Sequence, residues 1–344
     1  MAEEPLRGRG AVANPPNRFA ELRVEADPSD AEAPAPGTEF FRDDSRTVIA
    51  RNESPDVGFE ASVNPYRGCE HGCAYCYARP THEFLGFSAG LDFETKILVK
   101  EDAPRLLRRE LSAPSWTPRT IAMSGVTDPY QPVERRLGLT RRCLEVLAEF
   151  RNPVAVVTKN RLVARDADLL AELARHRAAA VFLSVTTLHA ELAGKLEPRA
   201  SRPELRLEAI AELARAGVPV GVLTAPVIPG LNDHEIPAVL RAAARAGARF
   251  AGYVLLRLPF GVRPLFEAWL ERHEPLKKGK VLGRIRGARS GRLNDPRFGT
   301  RMAGEGGLAR QIAQLFRVSC RRAGLSARGP ELSVSAFRRP GGLF

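Results

Sequence analysis

Between residues 95 and 258 the chain repeats one pattern: a short apolar run, a loop, then a stretch with apolar residues at helical spacing. The runs fall at 95–99, 119–125, 154–158, 180–185, 218–224 and 250–256. The helical stretches between them fall at 102–112, 139–151, 165–176, 203–216 and 234–246. Each run is apolar without alternating, which suits strands of a parallel sheet buried on both faces. Strands alternating with helices imply right-handed βα units. Five or six such units predict an α/β fold built as an incomplete (β/α)6 TIM-type barrel, short of the eight units of a closed one. A doubly wound open sheet is the structural alternative.

The flanks are of different character. Residues 1–45 are rich in Pro, Ala and charge and read as a disordered or loosely ordered arm. Residues 46–66 carry short alternating segments suited to strands or a small hairpin. Beyond the core of 46–258, residues 259–344 form a basic C-terminal extension. Within it, 259–274 and 306–323 read as helices, 275–305 as a long loop and 331–337 as a short terminal strand. The net charge is +12, and residues 271–344 hold 17 Lys or Arg against 5 Asp or Glu, so the rest of the chain is close to neutral. Such a surplus favours polyanions, nucleic acid foremost, although a solvated Arg-rich face is the plainer reading. No apolar run reaches the roughly 18 residues of a membrane span. The first residues lack the apolar stretch of a signal peptide, so no membrane partner and a cytoplasmic location are expected.

Three of the five cysteines lie within eight residues, in Asn64-Pro-Tyr-Arg-Gly-Cys69-Glu-His-Gly-Cys73-Ala-Tyr-Cys76-Tyr-Ala-Arg. The spacing C-x3-C-x2-C places three thiolates on one compact loop (64–79), enough for three corners of a cubane [4Fe–4S] cluster. The fourth iron then has no protein ligand and is open to a cofactor that chelates through amino and carboxylate groups. Gly68 and Gly72 allow the loop to bend tightly. A zinc site with His71 as fourth ligand is a competing reading, but structural zinc usually draws on two knuckles and no second pair exists here. Simple electron transfer is another, and it leaves the barrel unexplained.

This segment, with the aromatic Tyr75 before the last cysteine and the βα repeats after it, resembles the radical S-adenosylmethionine (SAM) superfamily. The longer motifs CEHGCAYCYARPTHEF and VTDPYQPVE are similar to the family related to spore photoproduct lyase and its uncharacterised bacterial relatives. The resemblance implies a [4Fe–4S] cluster on Cys69, Cys73 and Cys76, S-adenosyl-L-methionine as cofactor, and a reductant such as flavodoxin or ferredoxin. It also implies an enzyme that reductively cleaves SAM and abstracts hydrogen from its substrate. Nucleic acid, met through the basic extension, is the first expectation for that substrate. Modification of a protein, peptide or metabolite is the rival, and a non-catalytic Fe–S module docking on nucleic acid is a third. One departure stands out. The lyase has a hydrogen-donating cysteine before a Thr-Ser-Asp segment at the end of the second strand, where this chain reads Ser124-Gly125-Val126-Thr127-Asp128. Cys143 and Cys320 lie in helical stretches and read as buried small residues.

Ligands of parallel βα folds gather at the C-terminal strand ends. There the chain offers Thr127, Asp128 and Tyr130, then Lys159, then Ser184, then the loop Lys195-Leu-Glu197-Pro-Arg199, then Pro229-Gly-Leu-Asn232-Asp233. Lys159 and Arg199 can meet the SAM carboxylate, Ser184 and Thr127 its ribose hydroxyls, and Asp128 its amino group. The resemblance supports Lys159 and Ser184. Tyr75 is expected near the adenine. His71 and His82 read as hydrogen-bonding loop residues, and Tyr66, Tyr77, Phe84 and Phe87 as shielding around the loop.

Overall fold

The structure, a computed structural model, describes residues 8–19 and 37–340. In chain order the strands are β1 (Glu39–Arg42), β2 (Ile49–Arg51), β3 (Ala61–Val63), β4 (Tyr66–Arg67), β5 (Lys96–Val99), β6 (Ile121–Met123), β7 (Val154–Thr158), β8 (Ala179–Ser184), β9 (Val220–Val227) and β10 (Phe250–Leu255). The main sheet runs β10-β9-β8-β7-β6-β3-β2. Every neighbour in it is parallel except β2, which pairs antiparallel with β3. Six parallel strands thus make a partial barrel, open between β10 and β2.

One expected strand changes place. Residues 95–99 do form β5, but in a second sheet of order β1-β5-β4, parallel to β1 and antiparallel to β4. The first parallel strand of the barrel is β3, from the expected hairpin. An apolar run announces a strand without naming its partners. β1 itself comes from the stretch expected to be a loosely ordered arm. Residues 8–11 are also fixed: the Gly10 and Ala11 N–H groups donate to Glu94 at 3.0 and 2.7 Å. Residues 1–7 and 20–36 of that stretch lie outside the described residues.

The helices are α1 (Asp92–Thr95), α2 (Ala103–Ser112), α3 (Glu134–Leu137), α4 (Leu139–Phe150), α5 (Ala167–Arg175), α6 (Ala190–Leu196), α7 (Pro203–Arg215), α8 (Ile236–Arg245), α9 (Val262–His273), α10 (Pro275–Gly287) and α11 (Gly306–Ala323). The barrel helices bury an apolar stripe, as Ile236, Val239, Leu240 and Ala243 of α8 show. These stripes pack on Val154, Val156, Val181, Leu183, Val220 and Val222 of the strands in one continuous core. Cys143 and Cys320 are buried in that core, as expected of small apolar residues.

The C-terminal extension departs most from expectation. Residues 275–287, expected in a loop, form α10, which buries Val281, Leu282 and Ile285. Residues 331–337 form no strand; they run under the barrel, where the Ser333 and Arg338 N–H groups donate to Arg177 and Phe150 carbonyls at 2.9 Å. Helix α11 lies against α8, and its Phe316 ring meets Tyr253 of β10 at 4.8 Å. It is the outer helix that the last strand would otherwise lack. Residues 293–304 then cross the open side of the barrel. There the Gly299 N–H donates to Asp56 at 2.6 Å, and Arg301 pairs with Asp56 and donates to Ser54 in the β2–β3 loop.

Candidate active site

The cysteine loop sits over the C-terminal ends of the parallel strands. Gly68 (φ +79°) and Gly72 (φ +63°) turn it through left-handed backbone. A Cβ on Gly72 would come within 2.6 Å of a Glu94 carboxylate oxygen. Fully buried Arg79 fastens the loop from behind. It donates through Nε and Nη2 to the Cys73 carbonyl at 3.1 and 2.9 Å, through Nη1 to Gly90 at 2.8 Å, and pairs with Glu94. The same Glu94 receives residues 10 and 11. Loop, helix α1 and N-terminal segment therefore share one buried ion pair.

Thr127 and Asp128 hold the other side. Thr127 donates to the Gly68 carbonyl at 2.7 Å, beside Gln131, whose amide oxygen accepts the Glu70 N–H at 2.9 Å. Asp128 accepts from Thr158 at 2.7 Å, the Lys159 N–H at 2.8 Å and the Tyr130 N–H at 2.9 Å. It also faces Nδ1 of His71 at 3.3 Å. Burial works against its charge, yet His71 and these donors hold its pKa low. Burial opposes a charge on His71 too, but Asp128 and the Cys69 sulfur raise its pKa to about 10. With Nε2 turned to the Asn160 amide at 3.2 Å, His71 is engaged as a brace between strand ends.

Lys159 and Tyr75 come together on the inner face of the loop. Between them lies Glu197, fully buried. Its carboxylate accepts from the Tyr75 hydroxyl and, at 2.5 Å, from Thr186; it pairs with Arg206, and its Oε1 lies 3.7 Å from Lys159 Nζ. Burial alone would raise the pKa of Glu197; Arg206 and Lys159 outweigh it and hold it down at about 2. Lys159 also donates to the Ala225 carbonyl at 3.2 Å and stands 5.9 Å from the Tyr75 ring centre. Ser184 is buried at the end of β8, where its carbonyl accepts from Arg206 at 2.9 Å. Arg199 is separate from this group. It pairs with Glu70 at 3.0 Å, donates to Thr38 at 3.2 Å, and lines a cavity of about 550 Å³ behind the loop. Glu197, Thr186 and Arg206 are the residues that sequence reasoning passed over. Glu197 stood in a recognised loop, but nothing in the chain announced its burial.

The family model of the Radical SAM superfamily matches residues 63–243. The chain belongs to the radical SAM superfamily. An uncharacterised protein of Mycobacterium tuberculosis (strain ATCC 25618 / H37Rv) is 38% identical over 231 residues, covering 66% of this chain and 68% of that protein. A "Radical SAM Nalpha-GlyT isomerase" of Pseudomonas phage M6 is 30% identical over 175 residues, half of this chain and 34% of the phage protein. A spore photoproduct lyase variant with bound AdoMet and dinucleoside spore photoproduct aligns with a TM-score of 0.58 over 84% of this chain and 80% of its own. At 15% identity that likeness is one of fold.

The radical SAM loop has the donor set for an iron–sulfur cluster. Its three cysteines are unpaired thiols. Burial and Glu197 push the Cys73 thiol well above its ordinary value, and burial pushes Cys76 to about 11. Thiols in such surroundings ionise when a metal takes their charge. With His71 braced between Asp128 and Asn160, the zinc reading has no fourth ligand from that residue.

Proposed function

We propose that this radical SAM protein is an enzyme that binds a [4Fe–4S] cluster through Cys69, Cys73 and Cys76 and cleaves SAM reductively to abstract a hydrogen atom from its substrate. The observation that carries the reading is the set of three free thiols on one braced loop over the strand ends, within the matched family region. The chemistry supplied at this site is one-electron cleavage of the SAM C5′–S bond to methionine and a 5′-deoxyadenosyl radical. The electron comes from an external donor such as flavodoxin or ferredoxin.

The chain's own residues bind, orient and exclude water. Arg79 and Glu94 fix the backbone of Cys73, and Thr127, Gln131 and Asp128 fix the strand side of the loop. Lys159 presents a cation toward the mouth, suited to a carboxylate, with Glu197 and Ala225 setting its position. Tyr75 offers a ring face for a base, its hydroxyl anchored on Glu197. Ser184 and Thr186 stand at the end of β8 as hydroxyl partners. Thr127 and Asp128 serve SAM through the loop they brace.

Nucleic acid is the substrate class this reading favours. Its support is the cationic extension and the likeness of fold to a lyase whose structure holds a dinucleoside spore photoproduct. The lyase-type cysteine is absent at Ser124–Asp128, so the hydrogen donor of the lyase is not carried over.

The test is anaerobic reconstitution with iron and sulfide, then dithionite and SAM, with 5′-deoxyadenosine measured. Product is expected from the wild type and none from Cys73→Ala, which is also expected to lose the cluster while the barrel stays folded. A Cys73→Ala protein with full iron and sulfide overturns the ligand assignment. A reconstituted wild type that binds SAM and never releases 5′-deoxyadenosine, even with nucleic acid present, points to a binding module.

A further inference from the structure

Around the end of β10 the barrel mouth carries a group of side chains with no part in holding the loop or the cofactor. Arg257 follows β10, and its guanidinium stands 5.1 Å from the ring centre of Tyr77, the residue after Cys76. Arg289, only 1% exposed, reaches the same strand end and donates to the Leu255 and Leu256 carbonyls. Arg301 arrives on the segment that crosses the open side and lies 4.5 Å from the Phe298 ring centre. Two donors here are buried without a hydrogen-bond partner: Nε of Arg257 and Nη1 of Arg289. A buried unpaired guanidinium N–H is costly unless an anion meets it. The crowding also tells on the cations. Burial, then Arg301, lowers the Arg257 pKa, and burial, then Arg257, brings Arg289 to about 10. Acids nearby are already answered: Asp56 by Arg301 and Asp295 by Arg297.

Beside these cations the surface is aromatic. Tyr77 is 49% exposed, Phe298 59% and Phe260, three residues past Arg257, 64%. Arg18 lies over the Phe260 ring at 3.8 Å. Large exposed rings each paired with an arginine do nothing for the core. They match the means by which single strands are held, with bases on ring faces and phosphates on guanidiniums.

We propose that the mouth between β10 and the crossing segment is a subsite for a single-stranded nucleic acid, with a phosphate on Arg257 and Arg301 and flanking bases stacked on Tyr77, Phe260 and Phe298. This rests on the radical SAM reading for its purpose, but not for its binding. It also moves the contact away from the exposed arginines of α11, where net charge alone would put it.

The experiment uses the cluster-reconstituted full chain and fluorescein-labelled oligonucleotides: a 12-nucleotide single strand, an abasic strand of equal length and a hairpin duplex. Anisotropy is read over a salt series. Arg257→Gln and Arg301→Gln are expected to weaken the single strand about tenfold or more and to lower the salt slope. Arg257→Lys should recover part of the loss. Phe260→Ala and Phe298→Ala should weaken the normal strand and leave the abasic strand unchanged. Arg317→Gln with Arg321→Gln on α11 should change little. Unaltered binding by the Arg257 and Arg301 variants, a preference for the duplex, or loss confined to the α11 variant overturns the subsite. 5′-Deoxyadenosine release with and without oligonucleotide is followed in parallel. If the wild type releases none in either case but binds single strands through Arg257, the proposed reaction fails and the subsite stands.

Discussion

Arg79 meets three demands with one side chain: it neutralises Glu94, ties down the Cys73 carbonyl and caps the Ala89–Gly90 turn. Removing one partner of a buried ion pair costs about 3–5 kcal/mol, because the other charge is stranded. Arg79→Ala is expected to lose that much stability in urea unfolding and to hold less iron after reconstitution; wild-type values of both would sink this account. His82 sets up a pH effect. Burial lowers its pKa to about 4 from an ordinary 6.5, while its Nε2 faces the Lys96 carbonyl at 2.9 Å. The folded state therefore resists a proton that the unfolded chain accepts. Stability is full above pH 6.5 and falls as pH drops from 6.5 toward 4. Thermal melts of wild type and His82→Gln should show this slope in the former and a shallower one in the latter; parallel profiles would refute it. At this scale the sequence was half legible. The spacing of Cys69, Cys73 and Cys76 spoke plainly, because ligand geometry leaves few alternatives. Glu197 and Arg206 did not, since a charge in a loop looks the same whether it ends buried or in water.

Among the elements, those with a strong period were legible to within a few residues. α4, α7 and α8 carry apolar stripes that need no tertiary context. α10 was missed because its sequence, PLKKGKVLGRIRG, contains three glycines and buries only Val281, Leu282 and Ile285. β5 was read as a strand but placed in the wrong sheet, because pairing depends on residues distant in the chain. Strand packing gives a sharp test at Gly221 of β9. A Cβ there would stand 2.0 Å from the Phe250 ring and 2.6 Å from the Phe250 carbonyl oxygen on β10. Gly221→Ala should cost about 1–3 kcal/mol or more. Adding Phe250→Leu should recover only part of it, since the clash with the backbone remains. Full recovery in denaturant titrations would show that the ring alone sets the spacing.

For the molecule as a whole, the basic extension is part of the barrel. α11 places Ala309, Ile312 and Phe316 in the common core, and residues 325 and 326 run beside β10, with Ala251 N–H donating to Ser326 at 2.8 Å. Phe316→Ala should cost about 3–5 kcal/mol in urea unfolding; a loss under 1 kcal/mol would mean that α11 is a dispensable appendage. A chain cut near residue 274 would uncover this core, so charge and architecture cannot be separated by truncation. The N-terminal segment brings a subtler coupling. The Glu94 carboxylate that balances Arg79 behind Cys73 is the one that receives the Gly10 and Ala11 N–H groups. Two equilibria that share a group are thermodynamically linked, and linkage is reciprocal. By whatever factor a filled cysteine loop changes the grip on residues 10 and 11, docking of that segment changes the filling of the loop by the same factor, so protease resistance of the segment becomes a gauge of how fully the loop is charged.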